Sequence, residues 1–185
     1  MAKVYIFLAN GYEEIEGLTV VDLLRRAGIE TIMVSVTGDL FVTGAHHIVS
    51  KTDILFEESD YVDADMLVLP GGMPGTTNLL EHKGLDTLLR EFHSKGKKLA
   101  AICAAPKVLG NKGLLKGVKV TCFPGSEEGL IGAHIVNADV AVDGNFITSK
   151  AMGTAIDFSL ALISALSSKE EASRIAQSIY YTHNN

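Results

Sequence analysis

Short runs of apolar, often β-branched residues alternate along the chain with segments in which apolar residues recur every three or four positions. The apolar runs predict buried β-strands, and the three-to-four spacing predicts amphipathic helices. This alternation is typical of βαβ units, in which helices cover both faces of a parallel sheet. The predicted strands run over Val4 to Ala9, Thr31 to Val36, Met66 to Leu69, Leu99 to Ile102, Val118 to Thr121 and Phe146 to Thr148.

Four helices follow from the same periodicity and from residues typical of helix ends. Gly28 and Gly96 stand where the first two helices are expected to end, because glycine is common just past a helix C-terminus. Ser168, followed by Glu171, has the spacing of a helix N-terminus. The predicted helices have apolar faces at Val20 to Ala27, at Leu85 to Phe92, between Thr154 and Leu166, and from Ala172 to Ile179.

Two segments interrupt the alternation and predict hairpins. Residues 37 to 55 contain short extended pieces around Phe41-Val42 and Ile48-Val49, which we interpret as a hairpin at a sheet edge. Asp143-Gly144 is a two-residue hairpin turn joining Ala138 to Val142 with the strand that begins at Phe146. We find no repeat or linker, so we expect one domain over residues 1–185.

Charge and cysteine content exclude several classes of protein. A formal net charge of −6 argues against nucleic acid or an anionic membrane as a partner. Two cysteines, Cys103 and Cys122, make neither a secreted disulfide framework nor a zinc motif, so we expect a reducing compartment. The apolar run from Val4 to Ala9 is too short for a signal peptide, and no segment approaches the roughly 20 apolar residues of a membrane span. We therefore expect a cytoplasmic protein.

Cys103 is the main candidate for chemistry. It ends an apolar strand and precedes a helix-like segment through the small residues Ala104 and Ala105. The first N–H groups of a helix favour a thiolate, and a sharp strand-to-helix turn exposes a nucleophile when its neighbours are small. A buried structural cysteine is also compatible with this pattern. Cys122 is expected to be packed or weakly exposed.

Two further loops are expected at the same edge of the sheet, where ligands of open α/β folds bind. Gly71-Gly72 is either a tight turn or a source of backbone N–H groups, and Gly72 with Ala104 could form an oxyanion hole. In the acidic cluster after the first strand, Glu13 and Glu14 are interpreted as surface residues at a helix start. Glu16, if it points into the cleft, would keep its proton beside a thiolate, with a raised carboxyl pKa and a depressed cysteine pKa.

The histidines offer weaker candidates. His134 lies in a small-residue segment and is either an auxiliary base or a capped loop histidine. His46 and His47 are consecutive in an extended piece and would face opposite sides, so we predict no metal site there. His82, His93 and His183 are expected at the surface.

Four motifs taken together closely resemble the ThiJ/PfpI superfamily, in the branch of the parkinsonism-associated protein deglycase and its bacterial YajL-type relatives. The resemblance covers nearly the whole chain, and the ordered combination is specific although each motif alone is not. The motifs are Gly11 to Glu16, Arg25 to Gly28, Leu69 to Gly72 and Ala101 to Pro106.

The resemblance implies a flavodoxin-like three-layer sandwich, a homodimer and an easily oxidised Cys103. It also implies Glu16 as the protonated partner of that cysteine, N–H groups from Gly72 and Ala104, and His134 nearby. The implied activity is that of a glutathione-independent glyoxalase or protein deglycase, acting on methylglyoxal and early glycation adducts without metal or cofactor. An oxidative-stress chaperone that senses oxidation of Cys103 is the alternative.

Some positions depart from the family pattern. Ala151-Met152 replaces the Gly-Pro that relatives commonly carry, and Gly44 and His46 stand where the animal relative has a cysteine and an arginine. Roles of those residues are therefore not transferred. Amidase or peptidase chemistry, found elsewhere in the superfamily, is disfavoured because no histidine here stands in a His-x-Glu arrangement.

Overall fold

The computed structural model describes residues 2–182 of the chain. Its strands are β1 (Lys3–Leu8), β2 (Glu30–Ser35), β3 (Phe41–Thr43), β4 (Val49–Lys51), β5 (Ile54–Leu55), β6 (Met66–Leu69), β7 (Lys98–Ile102), β8 (Lys119–Val120), β9 (His134–Ile135), β10 (Val140–Asp143) and β11 (Phe146–Ser149). Its helices are α1 (Glu14–Arg26), α2 (Gly75–Glu81), α3 (Lys83–Ser94), α4 (Pro106–Asn111), α5 (Ala155–Leu166) and α6 (Lys169–Ser178).

A seven-stranded sheet in the order β10-β11-β7-β6-β1-β2-β5 forms the centre of the described chain. All its pairs are parallel except β10 with β11. The interior strands β6 and β7 are buried along almost their whole length, as expected for strands covered on both faces. The predicted α/β fold, with a mostly parallel sheet in a flavodoxin-like arrangement, is confirmed.

Two hydrophobic cores lie on opposite faces of this sheet. Because successive side chains of a strand point to opposite faces, β1 contributes Phe7 to one core and Ile6 to the other. The first core packs against α3 through Leu89, and the second packs against α1 and α5 through Leu24 and Phe158. This arrangement is the predicted three-layer sandwich.

The structure corrects two of the predicted strands. The segment predicted as a strand at Val118 to Thr121 is a two-residue strand, β8, which pairs with β9 outside the main sheet. The predicted hairpin in residues 37 to 55 forms from β3 and β4, but as a separate two-stranded sheet. The edge of the main sheet is instead β5, which pairs with β2. Helix α2 was not predicted.

The remaining local predictions are confirmed. Asp143-Gly144 joins β10 and β11 in an antiparallel hairpin, and Gly144 has a φ of 56°. Ser168 caps α6, since its Oγ accepts the N–H of Glu171 at 3.1 Å. Within residues 2–182, every helix is too short or too polar to cross a bilayer.

Candidate functional site

Cys103 occupies the turn between β7 and α4, at the carboxyl edge of the sheet. Its φ is 65°, a left-handed conformation that costs a residue with a side chain about 1–2 kcal/mol. Hydrogen bonds hold the turn: the N–H of Cys103 donates to the carbonyl of Ser149 at 2.9 Å, and the N–H of Ala105 donates to Ile102 at 3.0 Å. The predicted sharp strand-to-helix turn is therefore present, and Cys103 itself is half-buried rather than enclosed.

Glu16 reaches the same place from the first turn of α1. Its residue is 1% exposed, and a side-chain hydrogen bond joins its carboxyl group to the Cys103 thiol. The N–H of Gly71 donates to Glu16 Oε2 at 2.9 Å. Helix α1 is anchored there as well, because the N–H of Glu13 donates to the carbonyl of Gly71 at 2.9 Å.

The two glycines after β6 allow this close approach. A Cβ atom on Gly71 would lie 2.6 Å from Glu16 Oε2 and 2.7 Å from Cys103 Cβ. Gly72 has a φ of 89°, and a Cβ there would lie 2.3 Å from the backbone nitrogen of Glu13. The glycine pair therefore leaves room for Glu16, Cys103 and the start of α1, and it presents backbone N–H groups to the site, while the turn itself lies at Met73 and Pro74.

The protonation of the pair differs from the sequence-based expectation. Burial raises the pKa of Glu16 to about 7, although hydrogen bonds from Cys103 and Gly71 oppose the rise. Burial, followed by the charge of Glu16, raises the pKa of Cys103 to about 12, against hydrogen bonds from the N–H groups of Ala104 and Gly72. The expected depression of the cysteine pKa is therefore wrong, because the desolvation of sulfur and the adjacent carboxylate outweigh the two N–H donors.

The consequence is a pair that shares one proton near neutrality. Glu16 is the first of the two to ionise, and its carboxylate then lies in hydrogen-bond contact with the Cys103 thiol. Transfer of that one proton from sulfur to carboxylate yields a thiolate beside a carboxylic acid. A nucleophile within reach of its own general base is the arrangement that covalent catalysis requires.

His134 lies in the small two-stranded sheet formed by β8 and β9. It is an exposed residue of β9 and pairs in register with Lys119 of β8. Four residues after Lys119, the N–H of Phe123 donates to the Cys103 carbonyl at 2.8 Å. Within the described chain, no hydrogen bond links His134 to Cys103 or Glu16. The segment of His134 runs parallel to β8, and the nearness of His134 to Cys103 stays a prediction.

Glu14 is also not the surface residue that the sequence suggested. It is 3% exposed, and its Oε1 accepts the N–H of His46 at 2.9 Å while its Oε2 lies 3.1 Å from His46 Nδ1. Burial acts to raise the pKa of Glu14, but these hydrogen bonds outweigh it and the pKa is lowered. Glu13 is partly buried.

Glu13, Glu14 and His46 place ligand-type atoms within 4.8 Å of one another. His47, the other histidine of the pair in the sequence, is not part of this group. The buried carboxylate already accepts backbone N–H groups of the hairpin, so we assign the cluster to fastening the β3–β4 hairpin against α1.

The other cysteine and histidines lie away from Cys103 or outside the described chain. Cys122 is 5% exposed, and burial raises its pKa to about 11, so it is packed as expected. His82 is half-buried rather than on the surface, because its Nδ1 caps α3 by accepting the N–H of Leu85 at 3.0 Å. His93 is exposed, as predicted, and His183 lies outside the described residues.

Three neighbours of the site escaped sequence reasoning. They are Gly71, through its N–H; Phe123, through its N–H to Cys103; and Met152, whose backbone lowers the pKa of Glu16. Gly71 lies in the predicted Gly-Gly loop, so the sequence did indicate that its backbone could reach the site. The other two come from distant segments, and only the tertiary fold brings them to the turn.

The sequence of the chain was compared with protein families and with individual proteins. The sequence model of the DJ-1/PfpI family matches residues 2–165. Protein DJ-1 homolog B of Arabidopsis thaliana is 37% identical over 178 residues, which cover 94% of this chain and 40% of that protein. A deglycase of Pyrococcus abyssi is 33% identical over 153 residues, covering 82% of this chain and 91% of that protein.

A solved structure is similar over its full length. It is an oxidized DJ-1 of Toxoplasma gondii, with a TM-score of 0.95 and 34% identity, covering 99% of this chain and 100% of that one. The chain spans only about two fifths of the Arabidopsis relative, whereas it spans nearly all of the archaeal one.

Proposed function

Because the chain belongs to the DJ-1/PfpI family, we propose that it is a cysteine-dependent, glutathione-independent glyoxalase and protein deglycase. The observation that carries the proposal is the contact between the Cys103 thiol and the buried carboxyl group of Glu16. The similarity to a Pyrococcus abyssi protein that is named a deglycase supports the deglycase part of this proposal.

The first step is addition to methylglyoxal. Glu16 accepts the thiol proton while the sulfur of Cys103 attacks the aldehyde carbon, C1, and forms a C–S bond. Glu16 passes the proton it took from sulfur to the aldehyde oxygen, which gives a hemithioacetal and restores the carboxylate. The N–H groups of Gly72 and Ala104, which already point at the sulfur, are placed to stabilise negative charge that develops on this oxygen.

The second step moves hydrogen between the two carbons. Glu16 removes the proton from C1 as a C=C bond forms and the C2 oxygen is protonated, giving an enediol. Return of a proton to C2, with loss of the C1 hydroxyl proton, yields a thioester of lactate on Cys103. Water then attacks the thioester carbonyl, which releases lactate and restores the thiol.

Deglycation uses the same nucleophile. Methylglyoxal adds to amines and thiols as aminocarbinols and hemithioacetals, whose carbon is at the oxidation level of the aldehyde. Attack by Cys103 on that carbon, with departure of the amine or thiol, produces the hemithioacetal described above. Small 2-oxoaldehydes and glycated proteins or nucleotides are therefore the proposed partners of the site.

The test compares two cysteine variants by measuring lactate released from methylglyoxal. Cys103→Ser should abolish release, whereas Cys122→Ser should stay near the wild-type rate, because the Cys122 side chain is buried in a hydrophobic core and takes part in none of the proposed steps. Circular dichroism of both variants controls for folding. Equal losses in two folded variants would overturn the assignment.

A redox sensor with chaperone activity is the second candidate. A half-buried sulfur surrounded by the N–H groups of Gly72 and Ala104 and by Glu16 can hold the oxygens of a sulfinic acid, and an oxidized relative is similar over its full length. Protection of an aggregating client should then differ between the reduced protein and the protein oxidised at Cys103. Equal protection by both forms would remove this candidate. The homodimer and the cytoplasmic location stay predictions.

A further inference from the structure

Three large apolar side chains that are about half exposed belong to segments that meet at the Cys103 turn. Met73 is 53% exposed, Met152 is 50% exposed and Phe123 is 46% exposed. Each is tied to the site by the backbone. Met73 follows Gly72, Phe123 donates its N–H to Cys103, and the backbone of Met152 interacts with Glu16. We call these three residues the apolar rim.

The sheet order explains why the rim flanks the sulfur. Strand β7, which leads into Cys103, lies between β6 and β11. Met73 stands in the loop after β6, and Met152 in the loop after β11. Carboxyl ends of parallel strands meet at one edge, so the two methionines stand on either side of the turn and Phe123 adds a third position.

The ionised groups of the site are acidic. The charge of Glu13 acts on Glu16, and the charge of Glu16 acts on Cys103. The charged groups that act most strongly on Cys103 and Glu16 are carboxyl groups. Lys150, in the loop of Met152, is paired with Asp139 at 3.2 Å. A negatively charged substrate would therefore meet the carboxyl groups of Glu13 and Glu16 near the sulfur.

We propose that the apolar rim selects 2-oxoaldehydes with an uncharged apolar substituent, such as an aryl group, over anionic ones. The inference rests on the proposed function for its substrate class. An aryl group would cover apolar surface of Met73, Phe123 and Met152 that water now contacts, while methylglyoxal is too small to reach all three. Methionine and phenylalanine also favour contact with an aromatic ring.

The substrate test uses methylglyoxal, phenylglyoxal and 4-carboxyphenylglyoxal. The last two differ by one carboxylate at the far end of the ring. For the wild type we expect kcat/KM for phenylglyoxal to exceed that for methylglyoxal by about tenfold, the size of effect typical of apolar contacts in a pocket. The carboxylated compound should lose most of that gain. Equal values for the two aryl compounds would overturn the role of charge.

Substitutions in the apolar rim test which side chains cause the preference for phenylglyoxal. Phe123→Ser and Met152→Ser should each reduce the ratio of phenylglyoxal to methylglyoxal turnover by about threefold or more. The matched control is Phe41→Ser, which removes another exposed phenylalanine, 57% exposed, from β3. The control should keep the wild-type ratio. An unchanged ratio in both rim variants would overturn the inference.

Alkylation of Cys103 tests the rim without any turnover. The rates for N-phenylmaleimide against N-ethylmaleimide, and for iodoacetamide against iodoacetate, are measured by mass spectrometry and divided by the rates for free cysteine. We expect the phenyl and the neutral reagents to be favoured, and Phe123→Ser to weaken the phenyl preference. If no 2-oxoaldehyde is consumed, the proposed function fails, yet these ratios still decide whether the rim selects apolar groups.

Discussion

The backbone N–H of Gly71 donates to Oε2 of Glu16 at 2.9 Å, and a Cβ atom on the same glycine would fall 2.6 Å from that oxygen. One residue therefore both holds the carboxyl group and leaves the space that it occupies. The Cys103 Cβ atom would be 2.7 Å away on the other side. The contact between acid and thiol thus depends on the absence of a single methyl group.

Gly71→Ala should separate the two reacting groups. Contacts below 3 Å cannot be kept, so Glu16, Cys103 or the loop must move. We expect kcat/KM for methylglyoxal to fall about 100-fold, as for other misplacements near 1 Å. We also expect the free energy of unfolding to fall by about 1–3 kcal/mol through overpacking. Steady-state kinetics and urea denaturation measure the two effects.

Gly153→Ala is the control for that experiment. A Cβ atom on Gly153 meets no other atom within 4 Å, and its φ is not in the left-handed region. Both readouts should therefore stay close to wild type. Wild-type activity in Gly71→Ala would show that the close packing around Glu16 is not needed for the reaction.

The pH dependence of turnover follows from the shared proton. The reactive pair carries one proton, so activity is lost when Glu16 takes up a second one. Because the pKa of Glu16 is about 7, kcat/KM should rise about tenfold per pH unit below 7 and level off above it. The break near pH 7 should disappear in Glu16→Gln, whose activity at neutral pH should be lower by about 100-fold or more. A flat profile in the wild type would mean that another group controls the reaction.

His134→Ala should retain wild-type kcat/KM. The side chain is exposed on β9, and the structure shows no hydrogen bond from it to Cys103 or Glu16. We expect less than a twofold change across pH 6–8, measured with methylglyoxal. A loss comparable to that in Glu16→Gln would restore His134 to the role of an auxiliary base.

The order of local patterns was enough to predict most of the fold. Strands β1, β6 and β7 are buried on both faces and therefore appear as continuous apolar runs. Ser168 caps a helix that begins at the next residue, and Asp143-Gly144 forms the turn between two adjacent strands. Both roles involve only nearby residues, so they can be predicted from the sequence. The prediction of a core strand at Val118 to Thr121 was wrong because the local pattern there is too short. A two-residue strand has no periodicity to distinguish it from a core strand.

The candidate site was predictable as far as its residues share the carboxyl edge of one sheet. Cys103, Glu16 and Gly72 follow three neighbouring strands, and parallel topology brings such positions together. Charge state was not predictable, because the pKa of Cys103 depends on how completely tertiary packing removes water from sulfur. The strand that contains His134 was not predicted, since small neighbouring residues say nothing about which sheet a two-residue strand joins.

Removal of the Glu16 charge should stabilise the protein, and more so at high pH. The pKa of this carboxyl rises from 4.5 to about 7 on folding, so the folded state binds the proton more tightly than the unfolded chain does. Stability is therefore lost as the pH rises through that interval, and the ionised group costs about 3 kcal/mol at pH 8 at most. Glutamine keeps an oxygen for the Gly71 N–H without a charge to bury.

Urea denaturation at pH 5 and pH 8 measures this effect. The stability of Glu16→Gln relative to wild type should grow by on the order of 1–3 kcal/mol between the two pH values. Glu128→Gln, which removes an exposed carboxylate, should show no such growth. The contributions of other titrating groups cancel, because each variant shares those groups with the wild type. If the stability difference between Glu16→Gln and wild type stayed constant with pH, the Glu16 carboxyl group would be as well solvated in the folded protein as in the unfolded chain. Burial would then not set its proton affinity, on which the proposed reaction relies.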